Sequence, residues 1–289
     1  VEMKRRLNER IPVDWAITDD TARLFKTSKR AAREFPESSH LLRLAVAAGR
    51  RTLNPLLAFA ELEADELLAL QIHPLQAQIP TPLRLKHLQR ALIGVINLLG
   101  VPINELDGPG QKIAMLRYVA GLGDLKAAAL VNKGLGSKPL LSRAELVTNF
   151  SLGRKVFTNC AGFIQVTAVK SKRGGKSPNS IEEPLDGTRI HPESYDLARK
   201  MAADALELDD ATTLQRKQDI FGSDDEDDSN FAPKRDDKRD KEAINLIMAD
   251  PKRLDDLLLD EYAREIERLR HLPKHLTLLD IKAELQVSF

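Results

Sequence analysis

A single cysteine, Cys160, stands in a chain of 289 residues. One thiol closes no intramolecular disulfide, so a disulfide-stapled secreted scaffold is excluded and a reducing compartment is expected. Cys160 lies in the apolar stretch 156–163, where a buried, inert thiol is expected rather than a nucleophile. Aromatic residues make up only 4% of the chain, too few for a stacking ladder that would hold a single nucleic-acid strand. Excess charge is lacking too: 44 Lys+Arg face 43 Asp+Glu, a net +1. Indiscriminate coating of nucleic acid scales with the phosphates neutralised, so it is not expected, although a local basic patch remains compatible. No apolar run approaches the length of a membrane helix and no signal-peptide pattern opens the sequence, so no membrane partner is expected. What is present is a hydrophobic content of 42%, ordinary for a packed protein, and length enough for two domains.

Helical periodicity dominates, and the fold class is read as mainly α. In residues 1–38, the run 11–17 suits a short strand and Thr18-Asp19-Asp20 offers a cap. Ala22, Leu24, Phe25 and Ala31 then mark a helix that must stop before Pro36. One strand and one helix cannot bury a core, so this stretch is read as the remnant of a larger unit, and both chain ends as cut from something longer. Residues 39–90 are read as connecting helices, with a helix from Pro55 to Leu62, a short one at Asp65, and a loop punctuated by Pro74, Pro80 and Pro82. A long helix from Leu85 to Leu99 follows, closed by Gly100. Residues 91–166 hold a paired motif. Residues 167–183, rich in Lys, Ser and Gly, read as an exposed linker. Residues 184–286 form a second helical unit with Pro192 in the first turn of a helix, and its last helix is expected to be capped at Thr277 and to end near Leu285. Within that unit, 222–240 carries the run Asp224 to Asp228 and is read as a disordered insertion, because it has no apolar area to bury.

The paired motif is the most informative pattern. A helix through Ile113, Leu116 and Val119 runs into Gly121-Leu122-Gly123 and a second helix. The capping-box sequence Ser142-Arg143-Ala144-Glu145 then starts a helix that runs into Ser151-Leu152-Gly153 and another helix through Val156 and Phe157. Two copies make a tandem helix-hairpin-helix and not a solenoid. Glycines relieve Cβ crowding in such a turn, and N–H groups opening the second helix can face a phosphate. The candidate nucleic-acid-binding residues are therefore Gly121, Gly123 and Lys126 in the first hairpin and Gly153, Arg154 and Lys155 in the second. Asp124 repels phosphate from the first turn, while Arg154 and Lys155 attract it to the second, so the second is the expected contact. The alternative for both is a rigid joint that binds nothing. No catalytic residue is assigned. Asp14, Asp19 and Asp20 form no metal-binding set, Asp19-Asp20 reads as a helix cap, and His73 and His191 lack ligand-spaced partners. Neither a cofactor nor a metal is expected.

These motifs together resemble the suppressor-of-Ty-six family and its bacterial relative Tex. The resemblance rests on Val101-Pro102-Ile103-Asn104, Tyr118 to Gly123, Leu141-Ser142-Arg143, Leu152-Gly153 and Phe157 to Phe163. Residues 185–195, followed by 198–206, resemble the start of the family's death-like domain. Asn54 to Leu57 and His73 to Gln76 look like its preceding helices, and residues 21–36 look like the end of its YqgF, RNase-H-like domain. The order is collinear over nearly the whole chain. Asp124 and the acidic run 223–228 depart from the family pattern. The resemblance implies a non-catalytic core segment of a nuclear transcription elongation factor and histone chaperone, with RNA polymerase II and histones as partners. DNA or RNA held through the hairpins, as in a Tex-like module, and a purely protein-binding scaffold are the alternative functions.

Overall fold

The computed structural model describes residues 20–167, 183–206, 237–255, 257, 259–270 and 273–286. The expected strand at 11–17, most of the linker (168–182) and the acidic run at 224–228 lie outside the described residues.

The first helical stretch is two helices, α1 (Asp20–Thr27) and α2 (Lys29–Glu34). The break sits at Ser28, whose hydroxyl accepts the Ala31 amide at 3.0 Å and caps α2. Ala22, Phe25 and Ala31 bury against Ala47 of α3 (His40–Leu53), so residues 20–34 share a small core with the helix that follows them. Asn54 caps α4 (Pro55–Ala60) through Leu57 N, and a reciprocal Glu63/Glu66 box caps α5 (Ala64–Ala69). The His-Pro pairs are caps as well. His73 Nδ1 accepts the Leu75 amide before the 3-10 turn Pro74–Gln78, and His191 Nδ1 accepts the Glu193 amide before the turn Pro192–Ser194.

The long helix α6 spans Thr81–Leu99 and starts earlier than its apolar periodicity suggests. Pro82 occupies its first turn, where no amide donor is needed. Gly100 ends it at φ +80°, and a Cβ there would lie 2.8 Å from Gln165 Cδ, so only glycine fits. Two strands of two residues each, too short to show a period in the sequence, follow from this approach. β1 (Val101–Pro102) pairs in parallel with β2 (Ile164–Gln165) and closes the two ends of the hairpin unit on each other. Asn104 reinforces the clasp: its amide donates to the Leu140 and Thr167 carbonyls, both at 2.8 Å, and its oxygen accepts Leu140 N at 2.9 Å.

Between the strands lie α7 (Gly108–Leu116), α8 (Gly123–Leu130), α9 (Glu145–Thr148) and α10 (Arg154–Cys160). Ile96, Ile103, Leu116, Leu135, Leu140, Leu146, Cys160 and Ile164 form one buried core beneath both hairpins. The capping box expected at Ser142 is not formed. Glu145 reaches back to Leu141 N at 3.4 Å instead, and Ser142 Oγ accepts Ala144 N at 3.2 Å. Residues 142–144 are held as a turn because the Arg143 amide donates to Asp186 at 2.8 Å, and the helix begins only at Glu145.

The remaining helices are α11 (Tyr195–Ala205), α12 (Asp237–Ala249), α13 (Leu259–Arg270) and α14 (His275–Gln286). Leu185, Met201, Ile244, Ile247, Leu254, Leu278 and Ile281 fill their common core. Residues 237–240, read from sequence as the end of the disordered insertion, are the first turn of α12, and Asp240 is buried. Thr277 lies inside α14 and is not its cap, since the helix already starts at His275.

Candidate functional site

The first hairpin turn is held from three sides. Gly121 and Gly123 take φ +86° and +75°, values that L side chains adopt only with strain. Gly121 also lies against the second hairpin: a Cβ on it would stand 2.9 Å from Asn159 Cβ of α10. Around Gly123 there is open space. Asn97 of α6 accepts the Ala120 amide at 3.0 Å and donates to the Tyr118 carbonyl at 3.2 Å, fixing the turn to the long helix. Arg117 donates to the Ala60 and Leu62 carbonyls at 2.8 and 2.7 Å, tying the hairpin to the α4–α5 connection.

Lys126 does not extend toward a ligand in this arrangement. Its Nζ donates to the Gly121 carbonyl at 2.8 Å, capping the turn it follows. Other lysines of the unit are used alike. Lys112 is buried and donates to Leu135 O at 2.8 Å, burial lowering its pKa, and Lys133 donates to Phe150 O at 3.2 Å. Asp124 is exposed at the start of α8.

The second turn reaches the same course differently. The left-handed position is Ser151, at φ +54°, which corresponds to Gly121 of the first copy. Gly153 has φ −63° and ψ 144°, extended backbone that any residue adopts, so its conformational freedom is not used. Arg154 and Lys155 are exposed, and among the described residues no hydrogen bond or ion pair engages their side chains. Of the six candidate residues, then, Arg154 and Lys155 present free charge, Gly123 and Gly153 border open space, and Gly121 and Lys126 serve the joint itself.

Arg143 is 1% exposed and heavily bonded. Its Nε donates to Ile164 O at 2.8 Å, Nη1 to Ile190 O at 2.6 Å and to the Tyr195 hydroxyl at 2.7 Å, and Nη2 to Thr188 O. Tyr195 in turn donates to Asp186, whose other oxygen receives the Arg143 amide. Burial holds the Tyr195 hydroxyl protonated far above the ordinary tyrosine range, so it stays a donor. A second tie lies alongside. Arg189 bonds the buried Glu284 of α14 through Nε at 2.8 Å and through Nη2, and donates to the Leu98 carbonyl at the end of α6. His191 Nε2 meets Thr158 O of α10 at 2.9 Å. Residues 186–195 therefore lock the hairpin unit to the C-terminal helices. In the sequence these residues stand out only as members of the family-like motifs, with no site role of their own. The signal present was a run dense in polar and charged residues between two apolar faces.

The comparisons agree with this layout. Residues 65–167 match a family described as a helix-hairpin-helix motif, and residues 183–234 match one described as an HHH domain. Transcription elongation factor spt-6 of Neurospora crassa is 37% identical over 284 residues, 94% of this chain and 18% of that protein. Transcription elongation factor SPT6 of Drosophila melanogaster is 34% identical over 282 residues, 96% of this chain and 14% of that protein. The Suppressor of Ty 6 homolog of Caenorhabditis briggsae is 33% identical over 278 residues, 95% of this chain and 16% of that protein. The chain thus spans less than a fifth of the length of these relatives. Near-complete coverage of this chain by relatives of one name, together with the helix-hairpin-helix match over 65–167, where both hairpins lie, places it as a segment of the SPT6 family.

Proposed function

We propose that this chain is a non-catalytic joint within a nuclear transcription elongation factor and histone chaperone, working with RNA polymerase II on chromatin. The observation that carries the reading is the Arg143 hub. It bonds groups on β2, on residues 186–190 and on α11 at once, so the hairpins and the C-terminal helices move as one body. Lysines that would otherwise meet phosphate are spent on carbonyls of the joint. In this reading residues 184–286 form the death-like domain, and residues 1–38 end the YqgF, RNase-H-like unit. The relatives' printed names support an elongation role and name no enzyme activity. Among the described residues no three His, Cys, Asp or Glu side chains converge as a metal site.

A second reading is favoured by one observation, the free charge of Arg154 and Lys155: the second hairpin touches a nucleic-acid backbone. Titration with duplex DNA at low salt separates the two. A phosphate contact predicts that Arg154→Ala with Lys155→Ala weakens binding similarly across sequences and lowers the salt slope by about 0.9 per lost contact. Unchanged affinity, with co-purification of polymerase and histones intact, favours the scaffold. Mg²⁺-dependent cleavage of single-stranded or branched substrates by the purified chain would overturn the non-catalytic reading.

A further inference from the structure

The helix α6 presents its outer face to solvent along its whole length. Its 19 residues, about 28 Å at helical rise, include no Asp or Glu, against Arg84, Lys86 and Arg90. Helical spacing puts Leu83, His87, Arg90, Gly94 and Leu98 in one outward row, flanked by Lys86 and Ile93. Leu83, Ile93 and Leu98 are 45%, 41% and 65% exposed, and a Cβ on Gly94 would meet nothing within 4 Å. The opposite side of the same helix packs inward through Ile96 and Leu92. The exposed face thus has an apolar residue at each end, cations between them, and a side-chain-free notch at Gly94.

We propose that the outer face of α6 is a docking surface for an acidic amphipathic helix of a partner protein, and the inference stands independently of the hairpins. The helix-in-groove mode needs apolar knobs at i, i+3, i+4 and i+7 spacing, and the Leu83, Ile93 and Leu98 side chains receive them. A carboxylate-rich flank is selected because the face offers cations and no anion. The same arrangement disfavours a second copy, since like cations would oppose each other across a two-fold axis. Nucleic acid fits less well, because Arg84 is engaged with the Gln76 carbonyl and the two remaining cations, Lys86 and Arg90, stand among leucine and isoleucine.

The test uses the full chain and a fluorescent 20-residue helical peptide with Leu at i, i+3, i+4 and i+7 spacing and Glu elsewhere. A Lys-for-Glu version of the peptide and a 20-base-pair duplex serve as comparison ligands. The Glu/Leu peptide is expected to bind, to weaken as salt rises, and to lose about tenfold in affinity with Arg90→Glu. Gly94→Trp, which fills the notch without changing charge, should weaken it by a similar factor, so the proposal stays testable if one variant loses helicity. Equal binding of the Lys/Leu peptide, indifference to both substitutions, or tighter binding of the duplex through the same residues would overturn it.

Discussion

Replacing Arg143 by alanine removes the guanidinium from a site that is 1% exposed. Three carbonyls, of Ile164, Ile190 and Thr188, lose the guanidinium as donor. Each buried acceptor left unpaired costs about 1–3 kcal/mol. Asp186, itself 2% exposed, keeps the Tyr195 hydroxyl and the Arg143 amide as donors. Partial collapse of the site keeps the total below the sum of the separate losses, at about 3–5 kcal/mol. That is a large share of the ~5–15 kcal/mol by which a domain is stable. Arg143→Lys should recover only part of it, since a single ammonium cannot reach carbonyls arranged for a planar fork. Urea unfolding followed by far-ultraviolet circular dichroism measures the cost. Arg154→Ala, on an exposed side chain of the same unit, should change stability by less than about 0.5 kcal/mol. A double-mutant cycle with Asp186→Asn should show coupling above about 1 kcal/mol. If Arg143→Ala costs under about 1 kcal/mol, the hub is not what fixes the hairpins to the C-terminal helices, and the rigid-joint reasoning fails.

Other outcomes follow from single positions. Gly123→Ala should cost about 1–2 kcal/mol for its left-handed backbone alone, and Gly121→Ala more, because its Cβ also meets Asn159; a reversed order of urea midpoints would contradict the packing of the two turns. Ser151→Gly should leave stability unchanged or raise it by up to about 1 kcal/mol, since glycine takes that backbone without steric cost but loses more freedom on folding. Burial pushes the Cys160 thiol from 9.0 up to about 11, so the folded chain keeps the proton that the unfolded chain releases. Stability should then fall as pH rises between those two values, and Cys160→Ala should flatten that loss. A thiol reagent at pH 8 should label Cys160 only after urea is added, and rapid labelling of the folded chain would show that the site is open.

The sequence by itself determined the helical class, the two hairpins and the positions of most helices, because these depend on local periodicity, turn residues and caps that one segment specifies. It also isolated Arg154 and Lys155 as a charge pair beside a turn, and both are exposed at the start of α10. It could not tell that Lys126 folds back on Gly121 O, or that Ser151 rather than Gly153 carries the left-handed backbone, since both depend on how the two turns meet. The capping box at Ser142 was a true local pattern overridden by a non-local bond, Arg143 N to Asp186, across 43 positions. The two-residue strands, the Asn104 clasp and the Arg189–Glu284 tie likewise join segments far apart in sequence, and only tertiary packing decides them. Arg143 shows the reason most plainly: in sequence it is the second residue of an apparent capping box, and nothing local marks it as buried. Its burial follows from three carbonyls, one hydroxyl and one carboxylate that reach it only when the chain has folded.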